Sequence, residues 1–552
     1  MRFYIFCYFL VLSISAIGQQ SIYQKIDSIL KKQVSSAPSP GLTIGVVKNG
    51  QLVYHNSEGL MNLDHEVPFN DSSVFSLASV TKQFTAACIA LLEKKGQLSI
   101  HDDVRKFIPE LTLFADTIRI QHLLNHTSGL RNHNVLLDLA GFDYEHQGYT
   151  NKMIQQLMFH QKGVNNRPGD KMLYSNTNYV LLALIIERVA KMPLHKFAKK
   201  ELFIPLGMHQ TFYAHDLQAV TKNKAYSYYK EGEHYKQPKS LTLCVGAGGV
   251  NSTIEDLARW AQIFLDKTHP FYHLSSFITQ LDSLNNGEKM QHARGMFVTP
   301  YKNQLTFNHS GRDRGMRAQF LSVPALQITV IVFANDATIN AVEVSYSILD
   351  LWLEQEHQDQ KEPTPPLPKN KNLQRFVGSY QELNSDLGMD ISSERDTLYA
   401  KSSFGRTSVP LSMIADGSFT RRDNAAVQYT FLSKGEAEAD LLVDFGGAIF
   451  YFEKVVLAPN PNQNLQDYVG QYYSKELAVQ YELNLLDGEL VLHYPNNRNL
   501  VLQEGVKDVF GANRRTKYSF QRAPNGQVVS FLVASEGTVK DILFEKRPFI
   551  KH

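Results

Sequence analysis

The sequence predicts an α+β domain followed by two small all-β, barrel-like modules. Up to residue 355, apolar segments with helical spacing alternate with short strand-like runs. A segment rich in Gln, Lys and Pro then predicts an extended linker, and the strand-like runs beyond it belong to an internal repeat. The predicted units are a signal peptide at 1–18, the α+β domain at 19–355, the linker at 356–372, and β modules at 373–458 and 459–552.

The internal repeat has an offset of 92 residues. Residues 373–380 and 465–472 share the pattern Leu-Gln-x-aromatic-Val-Gly-x-Tyr, and 465 − 373 = 92. The same offset separates the Phe-Glu-Lys tripeptides at 452–454 and 544–546. Each module is long enough to close into a small antiparallel barrel, which removes the exposed edges of an open sheet. The sequence leaves the role of the modules open between spacer, dimer contact, lid and ligand site, and it leaves the oligomeric state open as well.

The first residues predict export. Arg2 precedes an apolar run at 3–17, and Ala16 and Gly18 supply the small residues that a signal peptidase accepts. We expect cleavage before Gln19 and a periplasmic or secreted protein. The alternative is a membrane anchor, but the run is shorter than the ~20 residues that span a bilayer. After removal of the signal we therefore expect no stable membrane span.

The composition argues against several kinds of partner. The formal net charge is +2, and no long run of Lys or Arg predicts nucleic-acid binding. The 19 histidines lack metal-ligand spacing, so we predict neither a metal nor another cofactor. Cys88 lies in an apolar helical segment, which favours a small buried side chain over a disulfide with Cys244.

The first motif that carries chemistry is Ser-Val-Thr-Lys at 79–82, at the start of an apolar helical run. Residues three apart share a helix face, so Lys82 presents its amine beside the Ser79 hydroxyl, and the helix N-terminus favours an oxyanion. A serine needs such an activator because its free hydroxyl is nearly inert at neutral pH. Ser28 and Lys31 have the same spacing, but they lie on a polar amphipathic segment that predicts a solvated surface.

The second motif is Tyr-Ser-Asn at 174–176, which leads into the apolar helical run 180–186. A tyrosine beside lysine ammoniums ionises below its usual pKa of ~10 and then serves as general base and general acid. The same tyrosine–asparagine spacing at 301–303 and 494–496 leads into no buried helix.

The third motif is His-Ser-Gly at 309–311, between the strand-like segment 305–308 and the apolar strand 327–334. Gly311 leaves a strand edge unobstructed, so a substrate strand can pair there while backbone N–H groups face an oxyanion. On its own, the tripeptide equally fits a hairpin with a polar tip.

The order and surroundings of the three motifs resemble the signature set of the β-lactamase and penicillin-binding-protein superfamily. The tyrosine in the second motif and the histidine in the third resemble the class C β-lactamase and D,D-peptidase branch, peptidase family S12. The resemblance covers roughly residues 35–355 and implies a transpeptidase-like antiparallel sheet, flanked by helices, with an all-helical lobe. The stretches QHLLNHTSGL at 121–130 and GAGGVNSTIEDLARW at 246–260 also fit. We assign both mainly to structure, with His126 as a loop hydrogen-bonder and Ser252 with Glu255 as a helix capping box.

The resemblance also implies residue roles. Ser79 is the nucleophile that becomes acylated, and Lys82 and Tyr174 share the removal of its proton. Asn176 holds the lysine and the substrate amide. The backbone N–H groups of Ser79 and Arg312 bind the oxyanion. Tyr174 is the expected base when water releases the acyl group.

The third motif departs from the common pattern. Its substrate-binding residues are His309, Ser310 and Gly311. His309 stands where many β-lactamases carry a lysine, and a histidine is mostly neutral at pH 7, so a fixed charge for a substrate carboxylate is lost. Arg312, Arg314 and Arg317 either restore that charge or form a solvated loop.

The resemblance therefore implies an exported serine hydrolase that cleaves D-amino-acid peptides or related cell-wall fragments through an acyl-enzyme. The alternatives on the same residues are a carboxylic esterase and a weak β-lactamase. An alternative of another class is a non-catalytic envelope protein whose barrels bind a ligand. In each case the expected partner is a small molecule or a peptide.

Overall fold

The computed structural model describes residues 22–34, 38–239, 241–357 and 372–548. Within the last range the exceptions are 384–386, 404–407, 423–426, 433–439, 446–448, 456–463, 496–497 and 506. The predicted signal peptide, its cleavage site and most of the predicted linker lie outside the described residues. Among the described helices, none is both long and apolar enough to cross a membrane.

A six-stranded antiparallel sheet forms the centre of the first domain. From one edge to the other its strands are Phe297–Tyr301, Gln304–Asp313, Met316–Val323, Ile328–Ala334, Leu42–Lys48 and Gln51–Glu58. Alternate residues of Ile328–Ala334 pack with a helix pair at 22–32 and Ala341–His357, and the others pack with the remainder of the domain. This period of two is what a strand buried on both faces requires.

The chain segment between the sheet strands Gln51–Glu58 and Phe297–Tyr301 forms a helical lobe. Its helices are Lys82–Lys94, Ile120–Leu124, His133–Leu139, Asn151–Phe159, Asn176–Ala190 and Leu194–Ala198. The helix Asn176–Ala190 is buried over its first three turns, as the apolar run 180–186 predicts. Cys88 is buried in this lobe, and both Cys88 and Cys244 are free thiols. The sheet, its flanking helices and the lobe confirm the predicted fold of this domain.

The helix Ile254–Leu265 returns to the sheet, and its start differs from the prediction. The predicted capping box of Ser252 and Glu255 is wrong by one residue, because Ser252 still belongs to the strand Val250–Ser252. Thr253 is the N-cap, and its side chain accepts a hydrogen bond from the Asp256 backbone N–H at 3.3 Å. The shorter elements are Leu60–Asn62, Val67–Pro68, Phe75–Ser76, Ala78–Thr81, Val104–Lys106, Lys199–Phe203, Phe212–Tyr213, Tyr229–Glu231, His234–Lys236, Tyr272–Ile278 and Pro324–Leu326.

The first β module is a closed eight-stranded antiparallel barrel. Its strands are Gly378–Glu382, Gly388–Glu394, Thr397–Ser402, Val409–Ala415, Ser418–Arg421, Val427–Phe431, Leu441–Phe445 and Ile449–Val455. The first strand pairs with the last and closes the barrel. Closure removes the sheet edges, as expected for this module.

The second β module is a nine-stranded antiparallel sheet that is nearly closed. Its strands are Gly470–Ser474, Val479–Leu486, Glu489–Tyr494, Arg498–Val501, Gln503–Glu504, Val509–Ala512, Thr516–Arg522, Val528–Ser535 and Val539–Arg547. The two strands at its ends, Arg498–Val501 and Gln503–Glu504, follow each other in the chain with one residue between them. The expectation of a closed barrel is therefore met only approximately here.

The repeated residues make the same contacts in both modules. The Tyr380 hydroxyl donates to the Phe376 carbonyl at 2.8 Å, and the Tyr472 hydroxyl donates to the Tyr468 carbonyl at 2.8 Å. Each tyrosine ring also lies under the lysine of its Phe-Glu-Lys tripeptide, at 5.7 Å in the first module and 5.5 Å in the second. The offset of 92 residues thus reports a repeated structure that these contacts stabilise.

The second module is docked on the helical lobe. One apolar cluster runs from the lobe into this module, and the Tyr481 hydroxyl donates to the Leu139 carbonyl. The Arg131 guanidinium and the Glu476 carboxylate form an ion pair at 2.6 Å, with side chains only 3% and 9% exposed. The Asn165 side-chain amide donates to the Thr538 carbonyl at 2.7 Å. These contacts join the module to the same lobe that carries the second motif.

Candidate active site

Ser79 lies in a tight turn at the start of the buried helix of the lobe. The expectation that Ser79 begins this α-helix is wrong by one turn: Ala78–Thr81 is a 3-10 turn, and the α-helix is Lys82–Lys94. Ala78 has a φ of 46°, a left-handed conformation that costs energy for a residue with a side chain. Ser79 is half-buried while its chain neighbours are buried, so the turn leaves Ser79 more accessible than the residues beside it.

Lys82 is fully buried and points at Ser79. Its Nζ lies 3.1 Å from Ser79 Oγ, 2.9 Å from Asn176 Oδ1 and 2.8 Å from the Ala247 carbonyl oxygen. Burial lowers the pKa of Lys82 well below its ordinary value, because the ammonium loses its hydration. Burial thus favours the neutral amine, the form that can accept a proton from Ser79.

The contact with Ala247 gives the segment 246–249 a role beyond structure. A mainly structural role is predicted for these residues, and Gly246 fits that prediction, because a Cβ there would lie 2.2 Å from the Tyr179 carbonyl oxygen. The Ala247 carbonyl, however, is one of the three groups that hold the lysine amine. A backbone carbonyl leaves no signal in the residue type, so the sequence could not reveal this contact.

Tyr174 stands beside Lys82 and Ser79. The Lys82 Nζ lies 4.9 Å from the centre of its ring, and the Ser79 and Tyr174 hydroxyls share a hydrogen bond. Burial raises the pKa of Tyr174, and the hydrogen bond with Ser79 only partly offsets this effect. The expectation of a lowered pKa is therefore wrong for the free protein. Its physical reason is the burial of Tyr174 itself, which disfavours the charged phenolate.

His126 holds the loop that carries Tyr174. Its Nδ1 accepts hydrogen bonds from the Ser175 backbone N–H at 3.2 Å and from the Asn178 side-chain amide at 3.1 Å. Its ring centre lies 4.2 Å from that of Tyr174. Burial lowers the pKa of His126, so the ring stays neutral and Nδ1 stays free to accept. These contacts confirm His126 as a loop hydrogen-bonder.

The third motif lies in the strand Gln304–Asp313 and not at a hairpin tip. The edge strand Phe297–Tyr301 pairs with it only as far as Asn308, so residues 309–313 meet no further strand on that side within the described chain. A Cβ on Gly311 would lie 2.2 Å from the Leu77 carbonyl oxygen, next to the turn that carries Ser79. Glycine is therefore required where the open edge passes Ser79.

His309 is buried beneath this open edge. Burial first, and the nearby Lys82 second, lower its pKa to about 3. Its Nδ1 lies 2.6 Å from the Ser310 carbonyl oxygen and donates to it, while Ser310 itself is exposed. The histidine is thus neutral, in agreement with the expected loss of a fixed positive charge at this position.

The three arginines after the motif have different surroundings. The Arg317 guanidinium donates to the carbonyls of Arg314, Met316 and Ala337, each at 2.8 Å. The Arg314 guanidinium donates to the Tyr144 carbonyl at 2.9 Å. The Arg312 side chain is exposed and makes no hydrogen bond or ion pair with the described residues, while its backbone pairs with Arg317 in the sheet. Of the three side chains, Arg312 is the one free to meet a ligand, while the other two brace backbone.

His292 is a site residue that the sequence analysis missed. It is buried, and its ring centre lies 6.0 Å from that of Tyr174 and 6.1 Å from that of His309. Burial lowers its pKa well below the ordinary value. Nothing in the neighbouring sequence marks this histidine, because it reaches the site only through the fold.

One cluster of potential metal ligands lies elsewhere. Ligand atoms of His55, Asp71 and Glu255 lie within 4.8 Å of one another, beside the sheet edge opposite the third motif. The Asp71 side chain is 91% exposed, as in an ordinary surface ion pair.

The residues that share the spacing of the first two motifs also lie elsewhere. Ser28 and Lys31 are exposed, and the Tyr301 hydroxyl donates to the Asp350 carboxylate. None of these groups joins the site around Ser79.

Comparisons with known proteins place the chain in a family and a fold. The chain is 29% identical over 390 residues to penicillin-binding protein 4* of Bacillus subtilis, a match that covers 65% of this chain and 82% of that one. The structure of an octameric penicillin-binding protein homologue from Pyrococcus abyssi superposes with a TM-score of 0.54 at 21% identity, over 86% of this chain and 99% of that one. EstCE1, a hydrolase with promiscuous acyltransferase activity, superposes with a TM-score of 0.51 at 18% identity, over 61% and 99%. The beta-lactamase family model matches residues 26–350, more than half of the chain, and the protein therefore belongs to the beta-lactamase family of hydrolases.

Proposed function

We propose that the protein is an exported serine hydrolase that forms an acyl-enzyme on Ser79 and cleaves amide bonds in D-amino-acid peptides or related cell-wall fragments. The observation that carries the proposal is the buried Lys82 amine at 3.1 Å from the Ser79 hydroxyl. A neutral amine at that distance is the activator that a serine nucleophile needs. Export rests on the N-terminal sequence pattern alone.

The net result of the first half-reaction is the transfer of one proton from Ser79 to the leaving atom. Ser79 Oγ bonds to the carbonyl carbon while its proton passes to the Lys82 amine. The backbone N–H groups of Ser79 and Arg312 stabilise the oxyanion. Tyr174, whose raised pKa keeps it protonated, donates its phenolic proton to the leaving atom and regains one from the Lys82 ammonium. The second half-reaction runs in reverse with water, whose proton reaches Lys82 through the Tyr174 hydroxyl.

The substrate backbone is proposed to lie on the open edge at 309–313, where it extends the sheet as an additional strand. Asn176 holds Lys82 through its Oδ1, which leaves its side-chain NH₂ to meet the substrate amide. Arg312 is the free cation beside this edge and suits a carboxylate on the acyl part of the substrate. The neutral His309 argues against antibiotic hydrolysis as the main activity.

The main rival is a carboxylic esterase on the same residues, with weak β-lactamase activity as a further possibility. The test compares kcat/KM for p-nitrophenyl acetate and for D-alanyl p-nitroanilide, with Ser79→Ala as the control in each assay. A larger Ser79-dependent kcat/KM for the amide supports the peptidase. Ester cleavage without amide cleavage supports the esterase.

The alternative of another class is a non-catalytic envelope protein. It predicts that neither substrate is turned over and that Ser79 resists acylation. The partner in either case is proposed to be a small molecule or peptide.

A further inference from the structure

Side chains from two domains form an apolar patch beside Tyr174. Its base is the buried pair Met172 and Met290. Four half-buried side chains pack on this pair, and they are Tyr174, Leu284, Phe297 and Phe450. Three of them belong to the first domain, which carries Ser79, and Phe450 comes from the last strand of the first barrel. The barrel therefore contributes a side chain to the surroundings of the site.

Phe450 is braced from behind by the second module. A Cβ on Gly537 would lie 2.5 Å from the Phe450 ring, so the hairpin turn of that module packs directly on the aromatic side chain. The carbonyl of the next residue, Thr538, accepts the 2.7 Å hydrogen bond from the side-chain amide of Asn165 in the first domain. The phenyl ring is thus clamped between a docked hairpin and the methionine pair, as a preorganised binding surface requires.

The patch lies at one end of the open strand edge. Phe297 pairs with Asn308, so a substrate strand placed along 309–313 is collinear with the edge strand and ends against Phe297. The ring centre of His309 lies 5.6 Å from that of Phe297 and 6.2 Å from that of Tyr174. The end of the substrate near His309 therefore meets both the patch and the proposed proton donor.

The leaving group belongs at this end, because Tyr174 delivers its proton to the leaving atom. The ring contacts of Phe297 include the imidazoles of His292 and His309, with ring centres at 4.6 Å and 5.6 Å. Both imidazoles are buried, so they offer no exposed cation to a carboxylate. The exposed cation, Arg312, lies three residues along the strand from His309.

We propose that Leu284, Phe297 and Phe450 form an apolar subsite that binds an uncharged, apolar leaving group of the substrate. This inference rests on the proposed function, because it presumes acyl transfer to Ser79. It assigns the barrels a part in substrate selection, and it predicts poor release of leaving groups whose apolar chain ends in a carboxylate.

The test uses acetyl thioesters that share one acyl group and differ only in the leaving thiol. In each, the Ser79 Oγ–carbon bond forms, the carbon–sulfur bond breaks and the thiol leaves with a proton. The thiols are ethanethiol, hexanethiol and 6-mercaptohexanoate, and the released thiol is measured with a thiol reagent. We expect kcat/KM to favour the hexyl over the ethyl thioester by about tenfold, the scale of discrimination in an apolar pocket. The carboxylate is expected to abolish this preference.

Two variants from different domains separate the subsite from a folding defect. Phe450→Ala and Leu284→Ala are each expected to bring the hexyl-to-ethyl ratio towards one. Tyr451→Ala is the matched control, because Tyr451 is the next residue of the same strand and its side chain is exposed. We expect that variant to keep the wild-type ratio.

The subsite is refuted if the wild-type enzyme releases hexanethiol no faster than ethanethiol, or if both variants keep the ratio while a fluorophosphonate still labels their Ser79. A wild-type protein whose Ser79 is not labelled refutes the proposed function instead. The two failures are therefore distinguishable.

Discussion

The buried ion pair between Arg131 and Glu476 offers a quantitative test of how firmly the second module is docked. In Glu476→Gln the side chain keeps its shape but loses its charge, so the Arg131 guanidinium stays buried without a counter-ion. Breaking a buried pair in this way costs about 3–5 kcal/mol. Arg131 keeps two neutral acceptors, the Gln161 side chain at 3.0 Å and the Asp541 carbonyl at 3.3 Å, which favours the lower end, ~3 kcal/mol.

The measurement is the thermal unfolding of the full chain, followed by circular dichroism. At the low end of about 2 °C per kcal/mol for a large cooperative unit, Glu476→Gln lowers Tm by about 6 °C. The matched control is Glu545→Gln, which removes the neighbouring 2.7 Å pair with Lys475 in the same module. Both side chains of that pair are at least half exposed, so solvent screens the interaction and we expect no measurable shift. Equal shifts in the two variants would refute the docking described here.

Two further predictions concern the site itself. Because burial disfavours the Lys82 ammonium, the fluorophosphonate labelling rate of Ser79 is expected to reach its plateau at a pH below the ordinary pKa of a lysine and to fall as the pH drops through the lowered pKa of Lys82. A rate that rises only near the ordinary pKa of a lysine contradicts this lowered pKa. Gly311→Val places a Cβ 2.2 Å from the Leu77 carbonyl oxygen. Because this displaces the oxyanion N–H groups, we expect it to slow labelling by about 10²-fold. In the control Gly248→Ala the new Cβ meets its nearest atom only at 3.8 Å, so labelling is expected to stay close to the wild-type rate. Unchanged labelling in a folded Gly311→Val protein would contradict the role of the open edge.

The sequence predicted those parts of the site that short motifs encode. A serine and a lysine three residues apart must share a helix face, and the structure brings Lys82 to Ser79 in this way. The two separated motifs join them through Asn176, at 2.9 Å from the lysine amine, and through the open strand edge of Gly311. The fold of the first domain followed from the same resemblance.

Other features depend on contacts between distant residues, which no local pattern contains. Arg131 and Glu476 are 345 residues apart in the chain, and neither stands in a recognisable motif. Phe450 reaches the surroundings of the site from another domain. The protonation of Tyr174 also escaped prediction, since it depends on how deeply Tyr174 itself is buried in the fold. The cap at Thr253 was misplaced because the preceding strand runs one residue further than the pattern of polar residues indicates.

The central claim is that Ser79 is a nucleophile that Lys82 activates. The most direct measurement is the intact mass of the protein after incubation with a fluorophosphonate, for wild type, Ser79→Ala and Lys82→Ala in parallel. We predict one adduct on wild type, none on Ser79→Ala, and an adduct on Lys82→Ala that forms at least about 10²-fold more slowly. An unmodified wild-type protein, or an adduct that persists in Ser79→Ala, would contradict the claim.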